Sequence, residues 1–212
     1  MKRSIIWFRR DLRIGDHPAL NAAIEGSDEV IPLFILDKQQ IVEAGEKLLA
    51  YMSKSLRALD ESLGNRLHII EGDQVAVLKE LMEHYGATEV HISAEPERYG
   101  AERDARVEAA GIPLIRTGSP YAVYPGRVVK PSDGTPYKVY TPFYKNWCIH
   151  GWRAPAATPK KISAPQPPEK YRAFPDFPVP AGVTLIEAGE AAALKRFTQF
   201  SKNAIDTYDE DR

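Results

Sequence analysis

Cysteine is nearly missing from this chain: Cys148 stands alone among 212 residues, so no intramolecular disulfide can form and a four-cysteine metal site is excluded. The histidines His17, His68, His84, His91 and His150 are scattered without metal-ligand spacing, which argues against a metal centre. Long hydrophobic runs are missing too. Runs such as Val30 to Leu36 fall far short of the ~20 residues that span a bilayer, and the N-terminus has no signal-peptide pattern, so a cytoplasmic protein without membrane contact is expected. Neither sign of charge dominates: 28 Lys and Arg against 29 Asp and Glu leave a net charge of −1, which offers no broad attraction to phosphate backbones. If nucleic acid is the substrate, this chain alone should hold it weakly. What remains, 43% hydrophobic and 27% charged, is the composition of an ordinary globular protein, and the length allows one large domain or one domain with an appendage.

Ile5 to Leu20, reading IIWFRRDLRIGDHPAL, organises the rest. Ser4 to Phe8 is an unbroken apolar and aromatic run that suits a central parallel strand covered on both faces. Arg9, Arg10, Asp11 and Arg13 follow just past its C-terminal end, the edge where open α/β sheets bind ligands. The charge pattern by itself also fits a solvated loop with local ion pairs. A twin-arginine export signal is excluded because no apolar segment follows. Asp16 then offers an N-cap oxygen, Pro18 fits a first helical turn, and Ala19, Leu20, Ala23 and Ile24 give a helical apolar face.

Further along, Glu29 to Leu36 reads as a second buried strand, with Pro32 signalling an irregular ladder, and its end delivers Phe34, Leu36 and Asp37. Leu48, Leu49, Met52, Leu56, Leu59 and Leu63 mark one helix face between Glu46 and Gly64, expected to pack into the core. Strands are also predicted at Leu67 to Ile70, Glu89 to Ser93 and Pro113 to Arg116, with one helix opened by Gly72-Asp73 and another, after Ala94 to Gly100, running through Arg103, Asp104, Val107 and Ala110. Five strands alternating with helices predict an α/β, doubly wound, Rossmann-like parallel sheet, for which the order 3-2-1-4-5 is expected. Strands 1 and 4 would then flank a crevice lined by Arg9 to Asp11 and by Ser93 to Glu97, with Asp37 next door. No G-x-G-x-x-G or P-loop string follows strand 1, so the crevice should recognise a planar or mixed ligand through side chains.

Composition shifts after Thr117. Only Pro18, Pro32 and Pro96 of the 17 prolines precede residue 112, so the stretch from Pro113 to Pro180 should hold no long helix. Tyr137 to Trp147 within it is too aromatic for a disordered linker and should pack on something: an edge of the α/β domain, a further domain, or single-stranded nucleic acid. Lys160 to Pro180 reads as a semi-rigid connector. Leu194, Phe197, Phe200, Ala204, Ile205 and Tyr208 then recur at helical spacing within Glu190 to Tyr208. That apolar face needs cover, from the sheet domain, from a second copy, or from a missing domain.

Trp7 to Leu20, Glu97-Arg98-Tyr99-Gly100 with Arg103-Asp104, Gly134 to Trp147, and Gly189-Glu190 with Leu194 to Tyr208 together resemble successive landmarks of the photolyase/cryptochrome family, in its order and over nearly the whole chain. The resemblance implies a photolyase-type α/β antenna domain over 1–118, a Pro-rich aromatic interdomain segment over 119–182, and over 183–212 a helix leading into a FAD-binding helical domain that this chain lacks. The implied chemistry is light-driven repair of pyrimidine dimers in DNA: an antenna passes excitation to reduced FAD, which splits the dimer. FAD, the lesion pocket and contact with damaged DNA would belong to the full-length parent, so no catalytic residue is expected here. By resemblance to deazaflavin- and FMN-type members, the antenna candidates are Arg10, Asp11, Phe34, Leu36, Asp37, Glu95 and Glu97. Carboxylates there could accept ring N–H or ribityl hydroxyl bonds, and Arg10 could hold a phosphate or carboxylate. Glu95 and Glu97 could equally form salt bridges to Arg98 or Arg103. Members with a methenyltetrahydrofolate antenna tend to carry Asn-Glu where this chain has Tyr99-Gly100, which favours an 8-hydroxy-5-deazaflavin or FMN over folate. Ser93 and His17 also stand where many members have Asn. Two other readings fit the same residues, a cryptochrome-type blue-light sensor and a free-standing nucleotide- or flavin-binding module. The free-standing module predicts self-association through the C-terminal helix.

Overall fold

The computed structural model describes residues 1–208. In chain order its elements are β1 (Arg3–Phe8), α1 (Pro18–Gly26), β2 (Glu29–Leu36), α2 (Lys38–Glu43), α3 (Glu46–Ser62), β3 (His68–Glu71), α4 (Gln74–Tyr85), β4 (Ala87–Ile92), α5 (Arg98–Ala109), β5 (Leu114–Arg116), α6 (Tyr140–His150) and α7 (Glu190–Asn203), with a 3-10 turn at Glu169–Tyr171. All strand pairs are parallel and the order is β3-β2-β1-β4-β5, the doubly wound arrangement expected.

Because side chains alternate along a strand, β1 feeds two cores. Ile5 and Trp7 join Ile31, Leu33 and Ile70 under α4 and α5, where Leu78, Leu81 and Val107 are fully or nearly fully buried. Ile6 and Phe8 point the other way, onto Leu20 of α1 and Leu56 and Leu59 of α3. Each buried aliphatic or aromatic side chain contributes about 1.5–3 kcal/mol, so both faces of β1 are strongly held. The last residues of that strand are therefore rigid, and the charged turn after Phe8 starts from a fixed point.

Several local expectations change. The α1 cap is His17, whose Nδ1 accepts from the Leu20 N–H at 3.1 Å, while Asp16 sits in a turn with φ of 46° and turns its carboxylate to Arg153 and the Ala156 N–H. Pro32 leaves the β1–β2 register unbroken, with Ile6 opposite it; the register shift lies in β1–β4, between Arg3 and Ile5. Within Lys160 to Pro180, Arg172 bridges Ile69 at the β3 edge, and Tyr171, 2% exposed, joins the core and donates to Glu80 at 2.7 Å.

The proline-rich stretch still holds an eleven-residue helix, α6, because Pro142 falls in its first turn, where its missing N–H has no helical partner. None of its residues is buried. Its aromatics pack on one another, with Tyr140 on Tyr144, Tyr144 on Trp147, and Trp147 on Trp152 at 4.7 Å. Helix α7 stops at Asn203, short of the Tyr208 expected, and likewise buries nothing.

Candidate functional site

At the C-terminal ends of β1 and β2 lies a cavity of about 800 Å3, closed on one side by α2 and the first half of α3 and on another by the first turn of α7. That volume falls within the range of cofactor pockets. Its base is a buried charge network that grows out of the Arg9-Arg10-Asp11 turn. Arg9 reaches Glu95 at 3.0 Å and Asp104 at 2.7 Å and donates to the Ser93 carbonyl. Arg103 shares both carboxylates, at 3.4 and 2.9 Å. Both guanidinium groups also face the Trp7 ring, 5.2 and 4.9 Å from its centroid. Burial and the neighbouring Arg103 pull the Arg9 pKa below its usual value, against the opposing pull of Glu95 and Asp104. Gly100 permits this packing, since a Cβ there would come within 2.8 Å of Glu95 Oε2.

Asp11 is a second strut. Its Oδ2 accepts from Ser93 Oγ at 2.5 Å and lies 3.0 Å from His17 Nε2. Because His17 Nδ1 already accepts from the backbone, Nε2 carries the ring proton. Burial opposes ionisation of Asp11, but the His17 and Ser93 contacts outweigh it and hold the carboxyl well below the usual range.

All seven residues singled out from the sequence line this one cavity, in three distinct settings. Phe34 and Leu36, 9% and 4% exposed, are wall. Asp11 and Glu95 line it too, yet their carboxylates are committed to buried partners. Arg10, Asp37 and Glu97 stand at the mouth. Arg10 pairs with Glu97 Oε1 at 3.0 Å, and Glu97 Oε2 is buried with no hydrogen-bond partner. Asp37 caps α2 through the Gln39 N–H at 2.9 Å and accepts from Gln74 Nε2 at 2.6 Å and from the Tyr99 hydroxyl. Burial and this carboxylate raise the Tyr99 pKa to about 12, so it remains a donor at neutral pH.

Gln74 carried no signal in the sequence, and Tyr99 and Gly189-Glu190, noted there only as landmarks of the resemblance, were not expected to line the cavity. Sequence reasoning also read Leu48, Leu49 and Met52 as core, whereas they line the cavity and Leu48 is 63% exposed. A helical apolar stripe carries no mark of where core ends and cavity begins. Glu190 does leave a trace, an acid at a helix start, but its partners are the Ile14 and Gly15 N–H groups at 2.9 and 3.0 Å, far away in the chain.

Among the described residues, no group of three or more His, Cys, Asp or Glu side chains could hold a metal ion, and no helix is long and apolar enough to cross a membrane. Residues 4–165 match the family model described as DNA photolyase. A deoxyribodipyrimidine photo-lyase from a Synechococcus species is 32% identical over 98% of this chain and 47% of its own length. An uncharacterized 31.6 kDa protein from another Synechococcus strain is also 32% identical, over 98% of this chain and 78% of its own. Among solved structures, a bacterial class III photolyase from Agrobacterium tumefaciens superposes with a TM-score of 0.83 at 28% identity, covering 99% of this chain and 46% of that one. The chain thus spans about half the length of the photolyases it matches.

Proposed function

The chain belongs to the DNA photolyase family, and from that premise we propose that it is the light-harvesting domain of a deoxyribodipyrimidine photolyase, with an antenna chromophore in the cavity at the ends of β1 and β2. The observation that carries this reading is Glu97: one oxygen is paired with Arg10, and the other is buried and unmatched beside an apolar cavity. A buried acceptor without a donor costs about 1–3 kcal/mol, and a ring N–H or ribityl hydroxyl would satisfy it. The residues present therefore fit a flavin or deazaflavin. Bound there, the group would supply absorption of near-ultraviolet or blue light. The chain's own residues would do the rest: Phe34, Leu36, Leu49 and Met52 exclude water from the ring, Glu97 orients it by accepting a hydrogen bond, Asp37 holds Gln74 and Tyr99 in place beside it, and Arg10 balances the charge of Glu97. Light-driven repair, FAD and contact with damaged DNA would come through a helical domain of the full-length parent. A cryptochrome-type sensor would use the same cavity and differ in that second domain.

Absorption and fluorescence titrations of the 212-residue chain with FMN, a deazaflavin and a reduced folate test the proposal. Saturable quenching by FMN or the deazaflavin, and not by the folate, is expected. Joint replacement Asp37→Ala and Glu97→Ala should weaken that binding roughly tenfold or more, the value of one or two hydrogen bonds to charged groups. Far-UV circular dichroism should change little, since the loss of the Asp37 cap touches only the six-residue α2. Unchanged affinity in the double variant would remove the proposed pocket.

A further inference from the structure

The cavity at the ends of β1 and β2 has an oxidisable floor. Trp7 lines it, 4% exposed, while the other two tryptophans, Trp147 and Trp152, stack on each other beside α6. Of the rings that line the cavity, this indole most readily gives up an electron without also losing a proton. That is a hazard for a light-harvesting site: an indole within reach of an excited ring passes it an electron, takes the electron back, and the excitation leaves as heat. No bond changes and no other reactant is needed. The excitation is protected only by the energy needed to take the electron from Trp7.

Two cations are set against that removal. The Arg9 and Arg103 guanidinium carbons lie 5.2 and 4.9 Å from the centroid of the Trp7 ring. A cation over an aromatic face is attracted by the electrons of the neutral ring and repelled by the positive charge that oxidation would leave there. Both side chains are buried, 5% and 9% exposed, so salt and water screen them little. Glu95 and Asp104 hold the two arginines in place and balance their charge, and it is the cations that face the ring. Arg103 also lies 5.8 Å from the centroid of Tyr99, a second ring of the cavity wall, whose phenol stays protonated at neutral pH.

We propose that Arg9 and Arg103 insulate the cavity electronically: their charges make Trp7 harder to oxidise, so that a chromophore excited there keeps its energy long enough to hand it on. This rests on the light-harvesting reading of the cavity and adds to it a role for a charge network that the binding of a ring does not itself require.

Time-resolved fluorescence of FMN bound to the 212-residue chain tests the assignment. Arg103→Gln combined with Glu95→Gln removes one cation and one carboxylate together, leaves Arg9 paired with Asp104, and so strands no buried charge. It should shorten the bound-state lifetime at least about twofold, the scale of one lost cation–π contact, and adding Trp7→Phe should restore it. Trp7→Phe alone should leave the lifetime unchanged, because the donor is already silent, and Arg103→Lys, which keeps a cation, should retain most of it. A merely structural role for Arg103 would lower stability to urea and leave the lifetime intact, and that result overturns the proposal. So does a longer lifetime in Trp7→Phe alone, or a shortened one that Tyr99→Phe restores and Trp7→Phe does not. Each of these leaves the chromophore reading standing. Failure of both FMN and a deazaflavin to bind overturns that reading and the insulating role with it.

Discussion

His68 sits where β2, β3 and α4 meet. Its Nδ1 lies 3.0 Å from the Pro32 carbonyl and 3.1 Å from that of Arg66, and its Nε2 lies 2.8 Å from the Tyr85 hydroxyl. A carbonyl can only accept, so Nδ1 holds the proton, Nε2 accepts from Tyr85, and the ring is neutral. Burial lowers its pKa to about 4 despite those carbonyls. The unfolded chain, with an ordinary histidine near 6.5, binds this proton more readily than the folded one. Stability from this group is therefore complete above pH 6.5 and is lost as pH falls toward 4, by on the order of 3 kcal/mol. Asp11 acts at lower pH. Its depressed pKa contributes stability above the ordinary carboxylate range, which is lost as its carboxylate is protonated. Urea unfolding at a series of pH values should show both limbs. His68→Gln should flatten the limb between pH 6.5 and 4, and Asp11→Asn the one below; a pH slope that neither change alters would refute these assignments.

At the scale of an element, α3 is two helices in one. Its C-terminal half, with Leu56 fully buried and Leu59 3% exposed, is core under β1 and β2, while its N-terminal half, with Leu48 and Leu49, lines the cavity. Leu56→Ala should therefore cost about 2–5 kcal/mol in chemical denaturation. Leu48→Ala should cost less than about 0.5 kcal/mol, as exposed substitutions do, yet weaken flavin binding. Equal stability losses would mean that the helix packs along its whole length. The sequence could place the helix, because its stripe repeats at 3.6 residues, but not this division, which depends on where the sheet ends beneath it. Helix α7 makes the same point at its start. Gly189, with φ of 98°, lets the chain pass against Ala58, where a Cβ would approach to 2.5 Å, and Glu190 then reaches the loop after β1. Nothing local to residues 189–190 announces a partner at Ile14.

Over the whole molecule, the sheet domain is closed on itself and the two later helices are not. Leu194, Phe197 and Ile205 are 58%, 64% and 49% exposed, and Tyr140 and Trp152 beside α6 are 72% and 58% exposed. The photolyases matched along nearly the whole of this chain are about twice its length, and a helical domain over these faces is the cover we propose for the parent protein. Without it, the isolated chain should associate through them. Sedimentation velocity over a range of concentrations should show a reversible increase in mass that Phe197→Glu abolishes. A monomer at every concentration would show that these faces are tolerated in water.

The five strands, their order and the turn that carries Arg9, Arg10 and Asp11 were legible from sequence alone, because a parallel sheet covered on both faces demands continuous apolar runs and a right-handed crossover leaves few orders open. That Arg10, Asp11, Phe34, Leu36, Asp37, Glu95 and Glu97 would gather around one cavity was legible as well. Which carboxylates remain available to a ligand was decided by the tertiary structure: Glu95 is consumed by Arg9 and Arg103, Asp11 by Ser93 and His17, and Glu97 keeps one unmatched oxygen. The physical reason is that a buried charge is neutralised by whatever the fold brings within about 3–4 Å, and those partners lie as many as 95 residues away along the chain, as Asp104 does from Arg9.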